Sequence, residues 1–139
     1  MYIDKELELS NEQAVTSSAA STNYIDQGAA MDAGMGQQKH LAISVSVAAT
    51  AAGAATVDFS IEKAGASDFS DKETVVSSGA IAKADLVAGK QIFIPLPPGL
   101  DGRYFRVYYT VATGPLTAGK FSAQIVEGIQ KNVHYADAL

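Results

Sequence analysis

Apolar residues recur at every second position in several separated stretches of this chain, the spacing of strands with one buried face. In residues 41–47, Leu41, Ile43, Val45 and Val47 form one set and Ala42, Ser44 and Ser46 the other. In 55–63, Val57, Phe59 and Ile61 alternate with Thr56, Asp58, Ser60 and Glu62. These two strands are expected to pair. The run between them, "AATAAGAAT", reads as a flexible hairpin tip; its small uncharged side chains also suit close contact with another protein. Further strands are predicted at 73–79, 90–96 and 120–128, bounded by Gly, Pro and Asp clusters, with two short β-prone pieces within 12–28. Turn signals this frequent, with no capped amphipathic helix longer than about two turns, favour an antiparallel β-sandwich over an α/β fold.

The stretch "RYFRVYYTV" (103–111) carries large side chains on both faces. Phe105, Val107, Tyr109 and Val111 form the core set, and Tyr104, Arg106, Tyr108 and Thr110 point away. Tyrosines beside an arginine are typical of protein interfaces. A loop or terminal arm of the same chain covering that face is the favoured reading, ahead of contact with a partner.

With 139 residues, the chain has the size of one domain, 1–139. Residues 1–13 read as an N-terminal arm and 129–139 as a C-terminal tail, both outside the sandwich. A net charge of −5 with scattered basic residues argues against a nucleic-acid partner. Cysteine is absent, so packing alone must hold the fold, which suits assembly in a reducing cytosol. The acidic start lacks the features of an export signal, and the richest apolar window, 42–57, is too short and too interrupted for a membrane span.

Candidate chemistry is sparse. His40 and His134 lie in no ligand spacing and read as surface or loop histidines, and "GMGQQK" (34–39) lacks the rest of any nucleotide-binding fingerprint. Asp68, Asp71 and Glu73 in "SDFSDKE" carry oxygen ligands for a hard cation, but without EF-hand spacing and with Lys72 among them they read as a solvated turn. No carboxylate pair can be assigned to general acid–base work. The expectation is therefore no enzyme, no cofactor and no metal.

Three segments carry a resemblance. "DKELELSNEQAVTSSAASTNYIDQG" (4–28), "FIPLPPGLDGRYFRVYYTV" (93–111) and "GPLTAGKFSAQIVEGIQKN" (114–132) resemble, in order, the segments of capsid cement (decoration) proteins of tailed bacteriophages. The resemblance implies a jelly-roll β-sandwich on the outer capsid surface of the virion, assembled in the host cytoplasm. It implies the major capsid protein as partner and a homo-oligomer, dimer or trimer, that bridges neighbouring subunits. Two contact modes follow: an arm around "ELELS" adding a strand to the capsid with Leu7 and Leu9 in alternate pockets, or the face formed by Tyr104, Arg106 and Tyr108. The alternative is a carbohydrate- or host-surface-binding β-sandwich module, with Tyr24, Asp26 and Gln27 or Tyr135 and Asp137 as contacts.

Overall fold

The computed structural model describes residues 3–32 and 35–129, and two antiparallel sheets packed face to face make up the molecule. In chain order the strands are β1 (Glu8–Ala14), β2 (Ala19–Ala20), β3 (Ile25–Asp26), β4 (His40–Thr50) and β5 (Thr56–Ala64). They continue as β6 (Glu73–Ser77), β7 (Ile81–Ala82), β8 (Gln91–Pro95), β9 (Tyr104–Ala112) and β10 (Ala118–Val126). One sheet runs β1-β10-β4-β8. The other runs β2-β9-β5-β6, with β3 also on β9 and β7 on β5.

The pairing is nested. The first strand pairs with the last, β2 and β3 with β9, β4 with β8, and β5 with β6 and β7. This is one long antiparallel ribbon folded across two sheets, the jelly-roll expected from the resemblance.

The alternation holds for Leu41, Ile43, Val45, Val57, Phe59, Ile61, Phe105, Val107 and Tyr109, all buried, but not for Val47, which a register shift between Val45 and Val47 against β10 leaves 42% exposed, and Val111 is only partly buried. The expected pairing of β4 with β5 is wrong. β4 hydrogen-bonds to β10 and β8, whereas β5 hydrogen-bonds to β9, β6 and β7. Residues 51–55 carry the chain from one sheet to the other, so the two apolar faces meet across the core and not along an edge. Between the layers, Phe59 and Tyr109 close on Phe121 of the opposite sheet, with ring centroids 5.2 Å and 5.9 Å from it. The Phe59 and Phe121 rings meet edge to face, a favoured arrangement.

A second correction concerns the N-terminus. Residues 8–14 do not stand outside the sandwich as part of an arm; they form the edge strand β1 on β10. Leu9 is fully buried in the core, and so is Ser10 beside it. Two successive inward residues break strict alternation because β1 is bulged: the register shifts between Glu8 and Ser10 and again before Gln13. Glu12 takes a left-handed backbone (φ 47°) there and donates its N–H to Ser122 Oγ at 2.9 Å. Such a bulge also makes an edge strand a poor template for further pairing. His40 opens β4 as a half-buried strand residue, so it is not the surface or loop histidine expected. His134, Tyr135, Asp137 and residues 130–139 of the expected tail lie outside the described residues.

Candidate functional site

The outward residues of β9 sit against β5 in a fixed register: Tyr104 opposite Ala64, Arg106 opposite Glu62, and Tyr108 opposite Ser60. The structure therefore brings Tyr104, Arg106 and Tyr108 together on one face. It places Leu7 elsewhere, in a 3-10 turn at one end of the sandwich, and Leu9 in the core.

This face is covered from within the chain. The loop 65–72 folds back over it and inserts Phe69, which is 5% exposed and clusters with Ala64 and Tyr104. Tyr24 completes the group, its ring edge-on to Phe69 at 5.9 Å and to Tyr104 at 5.8 Å. The Arg106 guanidinium lies 4.1 Å from the Phe69 ring centre, and Lys72 Nζ lies 4.7 Å from that of Tyr108. Glu62, 4% exposed, accepts from Arg106 Nε at 2.7 Å and faces Lys72 Nζ at 3.2 Å. A carboxylate so buried is held by two cations, which offsets the cost of removing it from water.

The acidic residues of this loop shape it. Asp71 accepts from the backbone N–H groups of Gly65 and Ala66 at 2.9 and 3.1 Å, and Asp68 accepts from Ser70 N and Oγ. The backbone donor of Ala66, then that of Gly65, holds the Asp71 carboxyl below its usual range; the Ser70 backbone and hydroxyl do the same for Asp68. A side chain at position 65 would bring its Cβ within 2.8 Å of Asp71 Oδ2. Among the described residues no group of three or more His, Asp or Glu is arranged to hold a metal. Phe69 itself has φ 57°, a costly backbone for a bulky residue. Its ring contacts with Tyr24, Tyr104 and Arg106 hold it there.

Sequence reasoning missed Phe69, Lys72, Glu62 and Tyr24 as parts of this face. The available signal was one aromatic residue in an otherwise polar turn, "SDFSDKE". What remains accessible are Tyr24, which is 51% exposed, and the cationic ends of Lys72 and Arg103. Arg103 makes a two-pronged contact with Asp26, at 2.7 and 3.0 Å, and its hydrogen bond, followed by that from Gly28 N, lowers the Asp26 pKa. Asp26 is thus engaged with Arg103, while Gln27 lines a separate pocket, so Tyr24, Asp26 and Gln27 do not form one contact group.

That pocket opens at the end of the sandwich that holds Leu7. Its volume is about 490 Å³, with Leu7, Ile25, Leu96, Leu100, Phe105 and Ile125 as apolar walls. Asp4, Lys39 and Glu127 bring charge to it. Gln27 Oε1 is buried and accepts no hydrogen bond from the described residues.

No curated protein matches the chain. A family model, Bbp16, matches residues 9–125, which run from within β1 to within β10 and include every strand between them. The chain belongs to the Bbp16 family, a phage-related family.

Proposed function

We propose that this protein is a structural component of a phage head, bound to the outer capsid surface, where it cements neighbouring major capsid protein subunits as a homo-oligomer and catalyses no reaction. The observation that carries this reading is the phage-related family match lying across a jelly-roll sandwich, an architecture that viral shell domains use. A protein that binds only the expanded shell stabilises it by mass action, and several weak contacts per oligomer multiply because each later contact is effectively intramolecular.

Docking by an N-terminal arm with Leu7 and Leu9 as anchors loses its support, because Leu9 is spent on the core. The other surface fits better in a modified form. Tyr24, Lys72 and Arg103 form its accessible rim, while Arg106 and Tyr108 lie half-buried beneath it and support them. Tyrosine and arginine at the centre of such a patch are common binding anchors.

The test is co-sedimentation of the purified chain with mature heads that lack it. The wild-type chain is expected to pellet saturably and to raise the temperature at which heads release DNA. Tyr24→Ala combined with Lys72→Ala is expected to weaken pelleting about tenfold or more, the loss of one anchor contact, with circular dichroism unchanged. A chain that stays in the supernatant at every head concentration refutes the reading.

A further inference from the structure

We infer that residues 65–72 form a hinged lid, and that Phe69 fills a site on the outer face of the sheet holding β9 and β5 that takes an aromatic side chain of a docking protein once the lid lifts. The inference rests on the proposed docking role only for the partner's being a protein; the lid and the site stand on the geometry of this chain.

The lid is bounded sharply. Before it, Ala64 closes β5 opposite Tyr104, and its carbonyl accepts from Arg103 N–H at 3.1 Å. After it, Glu73 opens β6 opposite Lys63. Between these fixed points the loop holds its own shape. Among the described residues, the hydrogen bonds of 65–71 all close within the loop: Asp71 staples Gly65 and Ala66, Asp68 holds Ser70, and Phe69 N–H donates to the Ala66 carbonyl at 3.1 Å. Its attachments to the sheet are the Phe69 ring and, at the second hinge, Lys72 over Tyr108 and against Glu62. Of residues 65–72, Phe69 alone is buried. A segment with so few buried contacts opens well before the fold does.

Phe69 occupies a site that remains when the lid moves. The Arg106 guanidinium lies over its ring at 4.1 Å, and the Tyr24 and Tyr104 rings flank it at 5.9 and 6.4 Å. Tyr104 and Arg106 belong to β9 and Tyr24 directly precedes β3, so none of the three travels with the loop. Arg106 keeps Glu62 as its partner, so opening strands no charge. A guanidinium over the ring face and tyrosines around it select an aromatic side chain over an aliphatic one of similar size. Phe69 reaches this site only with a left-handed backbone, φ 57°, which is unfavourable for a phenylalanine. An aromatic residue presented on ordinary extended backbone fills the same site without that strain, which favours exchange.

The test uses the purified chain with no heads present. In the wild type, the amides of the loop are expected to exchange together through one opening, at rates insensitive to low denaturant and well ahead of β5 and β9. Phe69→Gly suits the positive φ while emptying the site. With circular dichroism unchanged, this variant is expected to bind N-acetylphenylalaninamide saturably, with NMR shifts at the Tyr24 and Tyr104 rings and at Arg106 Nε–H. The wild type is expected to bind it about tenfold or more weakly, because an open state no more than ~10% populated lowers the apparent affinity by that fraction. N-acetylleucinamide is expected to bind the variant more weakly than the phenylalanine compound does. Loop amides that exchange only with β5 and β9, at the rate of global unfolding, overturn the lid, and this measurement decides it whether or not the variant folds. Equal binding of the phenylalanine compound to wild type and variant, equal binding of the leucine compound, or a folded variant that binds neither overturns the site. Heads that fail to bind the chain leave these results standing and refute the capsid reading alone.

Discussion

Tyr109 is fully buried among aromatic rings, and its hydroxyl lies 2.6 Å from Ser10 Oγ. Burial pushes its pKa from 10.0 up to about 12, the Ser10 hydrogen bond acting in the opposite direction. A tyrosine in the unfolded chain titrates near 10, so the folded state holds this proton more tightly. The stability that follows is complete below pH 10 and is lost as the pH rises through 12. At 1.36 kcal/mol for each unit, the loss reaches about 1 kcal/mol at pH 11 and about 2 kcal/mol at pH 12. Tyr109→Phe keeps the ring contacts but leaves Ser10 Oγ with only the Phe121 carbonyl, at 3.4 Å. That should cost about 1–2 kcal/mol at neutral pH. The variant has no hydroxyl to titrate, so the two stabilities should cross near pH 11, with the variant the more stable at pH 12. Urea unfolding followed by circular dichroism from pH 8 to 12 measures the gap, and the subtraction removes the contribution of lysines and exposed tyrosines common to both. A gap that stays constant to pH 12 refutes the reasoning.

Three further outcomes are expected. Leu9→Ala should lower the unfolding free energy by about 2–5 kcal/mol in urea titration, because it empties a core position, whereas an arm outside the fold predicts no change. Glu62→Ala leaves the Arg106 guanidinium without its partner and should cost about 3 kcal/mol, with faster amide exchange in residues 65–72; equal exchange in that loop would separate it from the ion pair. Arg103→Ala should let the Asp26 carboxyl titrate closer to 3.8, read by NMR. Because the wild-type Asp26 pKa is depressed, its stabilising share is present above pH 3.8 and lost below, so the two proteins should converge in acid.

The buried face of most of β4, β5 and β9 was legible in the sequence because burial on one side imposes a period of two, as in Phe105, Val107 and Tyr109. Partnership was not. Alternation marks which side of β4 and β5 is buried but carries nothing about which sheet each joins, and in a nested ribbon sequence neighbours often lie in opposite layers. Leu9 was misread for a local reason: the bulge around Ser10 to Gln13 sets Leu9 and Ser10 both inward, so no clean alternation marks β1 as a strand. That the chain itself covers the tyrosine and arginine face of β9 agrees with the favoured reading of the sequence, but the covering segment was not legible because it comes from residues 65–72, some forty positions away. Only the isolated Phe69 hinted at it. The phage association came from motifs and their order, which periodicity alone does not supply.

The pairing of β1 with β10 also bears on how the protein is made. Ribosomes add roughly 5–20 residues each second, so Ala14 emerges about 5–20 s before its partner strand begins at Ala118. Until then the nascent chain carries Leu9 with no sheet to close over it, and any stall in translation lengthens that interval. Fast, uninterrupted synthesis therefore protects the yield of soluble protein more than it would for a bundle whose neighbours in sequence are neighbours in space.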